Sequence, residues 1–294
     1  MDKVVIVTGA GRGIARRVAL DFAAQGCRVA VVDLVAERAK NTTKEIESAG
    51  GRALSVVCDV RSEASVRDMV EQTVRTWGRV DVLVNAAGGY TLGKVTHELS
   101  VADWDMVMDS NLKGTFLCAK FVLPHMIKAG GGRIINFASN AARTSSPALG
   151  VHYTATKAGV LGLTRHLAKE YAPHQILVNT VAPGPADVER NAEILSPEAR
   201  EQLRREIPLG RFAEPEDISA VVLFLASEGA RRERMNTYMI LFNWTEQGIR
   251  TVREAGPRLD GLKRTLEDLG GKVQSFYLTM GPYDTVAVVR RRVM

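Results

Sequence analysis

Short apolar runs alternate with helical patterns along the first two-thirds of the chain, and this alternation constrains the fold more than any other feature. The runs 4–8, 28–33, 54–58, 81–85, 132–137 and 176–182 are rich in Val and Ile, as strands buried on both faces should be. Helical periodicity fills 13–25, 36–49, 63–77, 101–127 and 151–171. Glu214-Pro215-Glu216-Asp217 opens a further helix, with Pro at its first position and acids in its first turn. Parallel neighbours need crossover connections, so this order predicts an α/β fold with a doubly wound parallel sheet.

A phosphate cradle is legible at the first strand–helix junction. Thr8-Gly9-Ala10-Gly11-Arg12-Gly13-Ile14-Ala15 directly follows Val4-Val5-Ile6-Val7. A glycine-rich turn there exposes backbone N–H groups at the positive end of a helix dipole, which suits a pyrophosphate. The context, strand before and helix after, makes the domain Rossmann-type. Asp33 ends the second strand, where a carboxylate accepts ribose hydroxyls and repels a 2′-phosphate. NAD is therefore expected over NADP, with Arg12 pulling the other way. The alternative role for Asp33 is to cap the following helix.

A proton-transfer pair is legible far downstream. Tyr153 and Lys157 lie four residues apart, so one helix face carries both. A phenol with a pKa of about 10 is a poor base at neutral pH. A fixed ammonium beside it stabilises the phenolate. His152 reads as a pocket wall rather than a second base.

Composition narrows the rest. The chain has 294 residues, 46% hydrophobic and 24% charged, which suits one large domain or two smaller ones. The net charge of +6 is spread over interleaved cations and anions, so no nucleic-acid partner is expected. No apolar run is long enough for a membrane, and no signal peptide precedes the first strand. Cys27, Cys58 and Cys118 lack metal spacing and read as buried thiols. A cytoplasmic protein with no bound metal is expected.

The glycine loop, Asp59-Val60, Asn85-Ala86-Ala87-Gly88, Asn111, Ser139, Tyr153 with Lys157, and Pro183-Gly184 together resemble a short-chain dehydrogenase/reductase over roughly residues 3–230. The resemblance implies an oxidoreductase moving a hydride between a nicotinamide cofactor and an alcohol or ketone. It implies cofactor contacts at Gly9, Gly11, Arg12, Gly13, Ile14, Asp33, Asp59 (to the adenine), Val60, Asn85, Ala86, Gly88, Pro183 and Gly184. Tyr153 would be the acid/base. Lys157 would tune it and hold the nicotinamide ribose, Ser139 would hold the substrate oxygen, and Asn111 would position a relay water. Spacing from Gly132-Arg133-Ile134-Ile135 selects Ser139, whereas counting back from Tyr153 lands on Asn140. The resemblance also implies a homo-oligomer, a dimer or tetramer, through helices 101–127 and 151–171. Segments near 89–95, 140–152 and 185–210, with Tyr90, Leu92, Ala148, Leu149 and Ile194, would wall a small, largely apolar substrate.

Three departures stand out. Ala15 takes the place of the last loop glycine. Val188 occupies the position where the family usually has a Thr on the carboxamide. The usual last strand and glycine pair are missing. Instead, Thr237-Tyr238, Thr245-Glu246-Gln247-Gly248-Ile249, Gly271-Lys272-Val273 and Gly281-Pro282-Tyr283-Asp284 resemble a truncated GYD domain of ferredoxin-like type. The pattern there is β-α-β-β: strands at 237–242, 272–279 and 284–290, with a helix at 245–269. Two domains are expected, 1-234 and 235-294. Tyr238 to Phe242 either substitutes for the missing strand of the parallel sheet or belongs to a unit that folds apart. A third reading is a fusion at Met235. The rival function is a catalytically impaired nucleotide-binding or regulatory protein, its pocket lost with the replaced strand.

Overall fold

The computed structural model describes residues 2–91, 94–144, 146–189, 191, 195–207, 210–231, 235–242, 264, 271–278 and 285–292. The chain divides into two compact units, Met1–Leu195 with Glu214–Ala226, and Ser196–Ala213 with Ser227–Met294.

The first unit is built on six parallel strands in the order β3-β2-β1-β4-β5-β6. They are β1 (Val4–Thr8), β2 (Arg28–Asp33), β3 (Arg52–Val57), β4 (Val82–Asn85), β5 (Gly132–Phe137) and β6 (Ile176–Val181). β1, β4 and β5 are buried at every residue, as their Val- and Ile-rich runs predict, with Arg133 and Asn136 of β5 buried among them. The helices are α1 (Gly13–Ala24), α2 (Ala36–Ser48), α3 (Glu63–Trp77), α4 (Val101–Met108), α5 (Gly114–Lys128), α6 (Gly150–Tyr171) and, after the second unit's insertion, α8 (Pro215–Ala226). One core, around Ile6, Val66, Met69, Leu83, Val122, Met126 and Ile134, lies between the sheet and α3 and α5. Each fully buried aliphatic side chain contributes about 1.5–3 kcal/mol. A cap such as Ser62, whose Oγ accepts from Ser65 N–H on α3, contributes about 1 kcal/mol. Burial therefore sets the fold and caps set the helix ends.

The expected helix over 101–127 is one continuous helical stretch with a defect. Between α4 and α5, Asp109–Lys113 forms a π-helical turn. Such a turn accommodates one extra residue and re-aims the side chains beside it. Asn111 stands in it, buried.

Strand order reverses between β1 and β4, which pair with each other while their crossovers run to opposite sides of the sheet. A crevice opens at the carboxyl ends of strands at such a point. The three cysteines are free and buried. Among the described residues no helix is long and apolar enough to cross a membrane.

In the second unit, α7 (Pro197–Glu206) is capped by Ser196, whose Oγ accepts from Ala199 N–H. Sequence periodicity had not singled this helix out, because it buries none of its residues. Strands β7 (Met235–Phe242), β8 (Gly271–Leu278) and β9 (Thr285–Arg292) form an antiparallel sheet in the order β7-β9-β8. The reading of Tyr238 to Phe242 as a seventh strand of the parallel sheet is therefore corrected. All eight β7 residues pair with β9, from Met235 opposite Arg292 to Phe242 opposite Thr285. That ladder satisfies backbone groups that the parallel edge would otherwise have had to satisfy. A bulge interrupts the β8–β9 ladder between Val273 and Ser275. The expected helix over 245–269 lies outside the described residues, apart from residue 264.

Candidate active site

A cavity of about 450 Å³ opens at the reversal point of the parallel sheet. Its lining includes Gly9, Arg12, Gly13, Ile14, Asp33, Asp59, Val60, Ala86 and Gly88, all singled out from sequence. The volume falls within the range of small-molecule and cofactor sites.

The glycine loop is shaped by close approach. A Cβ on Gly11 would lie 2.5 Å from Arg38 Cβ and 2.6 Å from Asp33 Oδ2. Gly11 N–H instead donates to Asp33 Oδ2 at 3.0 Å. Asp33 Oδ1 accepts from Val35 N–H at 2.9 Å. The helix-cap alternative thus becomes an Asx turn ahead of α2, tied to the glycine loop. Each carboxylate oxygen has a second lone pair, so these two bonds leave acceptor capacity towards the cavity. Arg38 lines the cavity beside Asp33 and was not legible in the sequence, because a lone Arg on an amphipathic helix reads as solvated surface. Asp59 is gripped by Arg61, Nε to Oδ1 at 2.9 Å and Nη2 to Oδ2 at 2.7 Å. That guanidinium holds the Asp59 carboxyl below the usual range.

Asn85 lies under the cavity rather than on its wall. Its Nδ2 donates to Asn136 Oδ1 at 2.9 Å, and Asn136 Nδ2 donates to Thr164 Oγ1 at 2.9 Å. Thr180 Oγ1 donates to the same Thr164 oxygen at 2.6 Å. Thr164 passes its proton to Val160 O at 2.8 Å. This buried chain ties β4, β5 and β6 to α6.

Helix α6 carries Tyr153 and Lys157. Lys157 Nζ donates to Phe137 O, at the end of β5, at 2.8 Å. It stands 5.6 Å from the centroid of the Tyr153 ring. Burial pushes the Lys157 ammonium down to about 8. Two residues beyond Phe137, the buried Ser139 Oγ accepts from Ala141 N–H and meets Asn140 Oδ1, both at 3.2 Å. The turn that Ser139 opens packs on α6.

Asn111 is held by three bonds from Nδ2: to Gly89 O at 2.7 Å, Val107 O at 2.9 Å and Ser110 Oγ at 3.1 Å. Its Oδ1 is buried without a protein partner. That acceptor is directed at Gly88, where any Cβ would collide with it. The π turn is what delivers Asn111 to this place, and a helical periodicity cannot signal it.

Val188 and Glu189 line the cavity next to the glycine loop, so the position expected for a Thr presents an apolar side chain. Pro183 is on the segment leaving β6, where its carbonyl accepts from Asn140 N–H at 3.0 Å. Pro183 and Gly184 are not among the lining residues, and neither are Gly11, Asn111, Ser139, Tyr153 and Lys157, of which Tyr153 adjoins the cavity through its contact with Tyr90. Ala15 is buried and lines the cavity at the start of α1. Tyr90, expected only as a wall, meets Tyr153 edge-on with centroids 5.6 Å apart. His152 is fully buried, with Nε2 2.7 Å from Thr91 Oγ1. Leu92 and Ile194 lie outside the described residues.

A parallel sheet of this order, with a glycine cradle at its reversal point, defines a Rossmann-type nucleotide-binding fold. A family model described as "Enoyl-(Acyl carrier protein) reductase" matches residues 9–240, and a GYD domain model matches 238–290. The chain is 40% identical over 227 residues to the (2S)-[(R)-hydroxy(phenyl)methyl]succinyl-CoA dehydrogenase subunit BbsD of Thauera aromatica, covering 77% of this chain and 90% of that one. It is 41% identical, with the same coverage, to the 3-oxoacyl-[acyl-carrier-protein] reductase FabG of Aquifex aeolicus. A solved 7 alpha-hydroxysteroid dehydrogenase, complexed with NADH and 7-oxo glycochenodeoxycholic acid, superposes with a TM-score of 0.74 at 33% identity, covering 78% of this chain and 88% of that one. The chain belongs to the short-chain dehydrogenase/reductase family of hydride-transferring oxidoreductases, and carries a GYD domain at its end.

Proposed function

We propose that the chain interconverts a secondary alcohol and a ketone with NAD(H), using Tyr153 as acid/base. Residues 1-234 form the catalytic domain and 235-294 an appended one. The observation that carries the reading is Lys157, a buried ammonium held by Phe137 O and set against the Tyr153 ring. A buried charge is costly unless something uses it. Here it stabilises the phenolate form of Tyr153.

In the oxidative direction, Tyr153 takes the hydroxyl proton while Ser139 holds the substrate oxygen. In the reductive direction, Tyr153 returns that proton to the developing alkoxide. Lys157 supports both by electrostatics. Asn111, with its unpaired buried Oδ1, positions a water for proton exchange with solvent. The nicotinamide, when bound, supplies or takes up the hydride. Gly9, Gly11, Arg12, Gly13 and Ile14 hold the pyrophosphate side, and Asp33 the adenosine ribose. Asp59 and Val60 flank the adenine, Ala86 and Gly88 complete the cofactor contacts, and Asn85 supports them from beneath through Asn136.

Asp33 favours NAD, because its carboxylate repels a 2′-phosphate; Arg12 and Arg38 favour NADP. Thermal unfolding with NAD+, NADP+ or neither decides between them. Ligand at about 100 times its dissociation constant stabilises by roughly 2.7 kcal/mol. Stabilisation by NAD+ alone is expected. A larger response to NADP+ would mean the arginines outweigh Asp33. No response to either would favour the impaired, regulatory reading, for which the six-stranded parallel sheet is the supporting observation.

A small, largely apolar alcohol or ketone is the substrate the segments expected to wall the site suggest, and the Tyr90 ring beside Tyr153 supports it. A second substrate reading, an acyl thioester, is favoured by the names of two relatives, one an oxoacyl-carrier-protein reductase and one a hydroxyacyl-CoA dehydrogenase. Turnover of an oxoacyl-CoA beside simple ketones separates the two. The outer face of α5 and α6 offers a groove lined by Phe116, Leu123, Ile127, Leu163 and Leu167, suited to a homo-oligomer. Buried reduced thiols suit a cytoplasmic enzyme.

A further inference from the structure

Tyr90 is engaged at both ends. Its ring meets the Tyr153 ring with the planes at 76°, edge against face. Its hydroxyl donates to Asn191 Oδ1 at 2.6 Å. Asn191 is itself fixed, donating from Nδ2 to Ala186 O at 2.7 Å and from its backbone N–H to Val188 O at 3.0 Å. Tyr90 follows β4, and Asn191 lies beyond β6. One side-chain bond thus joins two segments that leave the carboxyl ends of different strands.

Both segments reach the cavity, since Gly89, Tyr90, Val188 and Glu189 line it. The next residue, Thr91, meets His152, the neighbour of Tyr153 on α6. The segment after β4 is therefore anchored on two sides, and Tyr90 is the residue that spans them. Lys157 and Tyr90 both bear on the Tyr153 ring, one by charge and one by packing. Nothing in the nucleotide cradle requires an aromatic hydroxyl at position 90.

The geometry points to Tyr90 as a positioning residue for Tyr153 and, with Asn191, as a latch that holds the two segments together beside the Tyr153 ring. This rests on the enzyme reading above. The ring fixes the orientation of the Tyr153 phenol. The hydroxyl sets how long the two segments stay closed, so substrates must enter before the bond forms and leave after it breaks. Loss of the bond weakens substrate capture without touching proton transfer. Loss of the ring disturbs the acid/base itself.

The test uses the full-length chain as wild type, Tyr90→Phe, Asn191→Ala, the double variant and Tyr90→Ala. Steady-state turnover is read together with amide hydrogen exchange of residues 86–91 and 186–191. Tyr90→Phe and Asn191→Ala should each raise KM about fivefold, the equivalent of about 1 kcal/mol, with kcat within twofold. The double variant should be no worse than either single one, because both remove the same bond. Exchange should quicken in both segments. Tyr90→Ala should also lower kcat and move its pH profile, which a merely structural residue would not do. Additive effects, or unchanged KM and exchange in Tyr90→Phe, would overturn the latch. An unmoved pH profile in Tyr90→Ala would overturn the positioning role. Absence of turnover in the wild type would sink the enzyme reading, and exchange alone would then decide the latch.

Discussion

Lys157 shows at the scale of one residue what function costs stability. Burial lowers its ammonium from an ordinary value of 10.5 to about 8. Between those values the unfolded chain binds more protons than the folded one, so this group's contribution to stability improves as pH rises through that window. Below about pH 8 the cost of the buried charge is fully present. Lys157→Met should therefore be more stable than wild type at pH 7, by up to about 3 kcal/mol, and the gap should narrow towards pH 10.5. Denaturant unfolding at pH 7 and pH 10 measures it; equal stability at pH 7 would contradict a costly buried ammonium. The pairing of Tyr153 with Lys157 was legible because a four-residue spacing on a helix is a local rule. The parts played by Tyr90 and Arg38 were not. Each lies against residues brought near by the fold, Asn191 and Tyr153 for Tyr90, and Gly11 for Arg38.

At the scale of elements, α6 is placed by polar bonds as well as by packing. Thr164 accepts from Asn136 and Thr180 while donating to its own helix, so one hydroxyl joins three strands' worth of network to the helix that carries Tyr153. Thr164→Val keeps the shape and removes the acceptor, leaving the Asn136 amide buried without that partner. It should cost about 1–3 kcal/mol of stability and lower kcat by shifting α6. Unfolding and turnover measured on the same preparation test this, and a neutral variant would mean the network is incidental. The strands were legible to within a residue or two because their short runs are rich in Val and Ile and are bounded by helical patterns. The π turn was not, since Asp109–Lys113 differs from its flanks by a single extra residue in the helical ladder, which side-chain periodicity does not record. Helix α7 was missed because it buries no residue and so shows no apolar stripe.

At the scale of the whole molecule, the chain joins a parallel sheet to an antiparallel one. The sequence pattern located the change of character near Arg231 but left open which sheet Tyr238 to Phe242 would join, because a five-residue apolar strand fits either. Ladder pairing resolves it in favour of β9. A chain ending at residue 234 should therefore keep its nucleotide-dependent stabilisation, read by the same thermal unfolding as the full chain. Loss of that response would mean that residues 235–294 contribute to it. The central claim concerns chemistry, and one comparison reaches it most directly: turnover and nucleotide binding of the wild type beside Tyr153→Phe. The account predicts nicotinamide-linked turnover of a ketone or oxoacyl thioester by the wild type, a loss of at least about a hundredfold in the variant, and nucleotide affinity unchanged within about twofold. Turnover surviving in Tyr153→Phe would contradict Tyr153 as the acid/base, and binding without turnover in the wild type would contradict the enzyme itself.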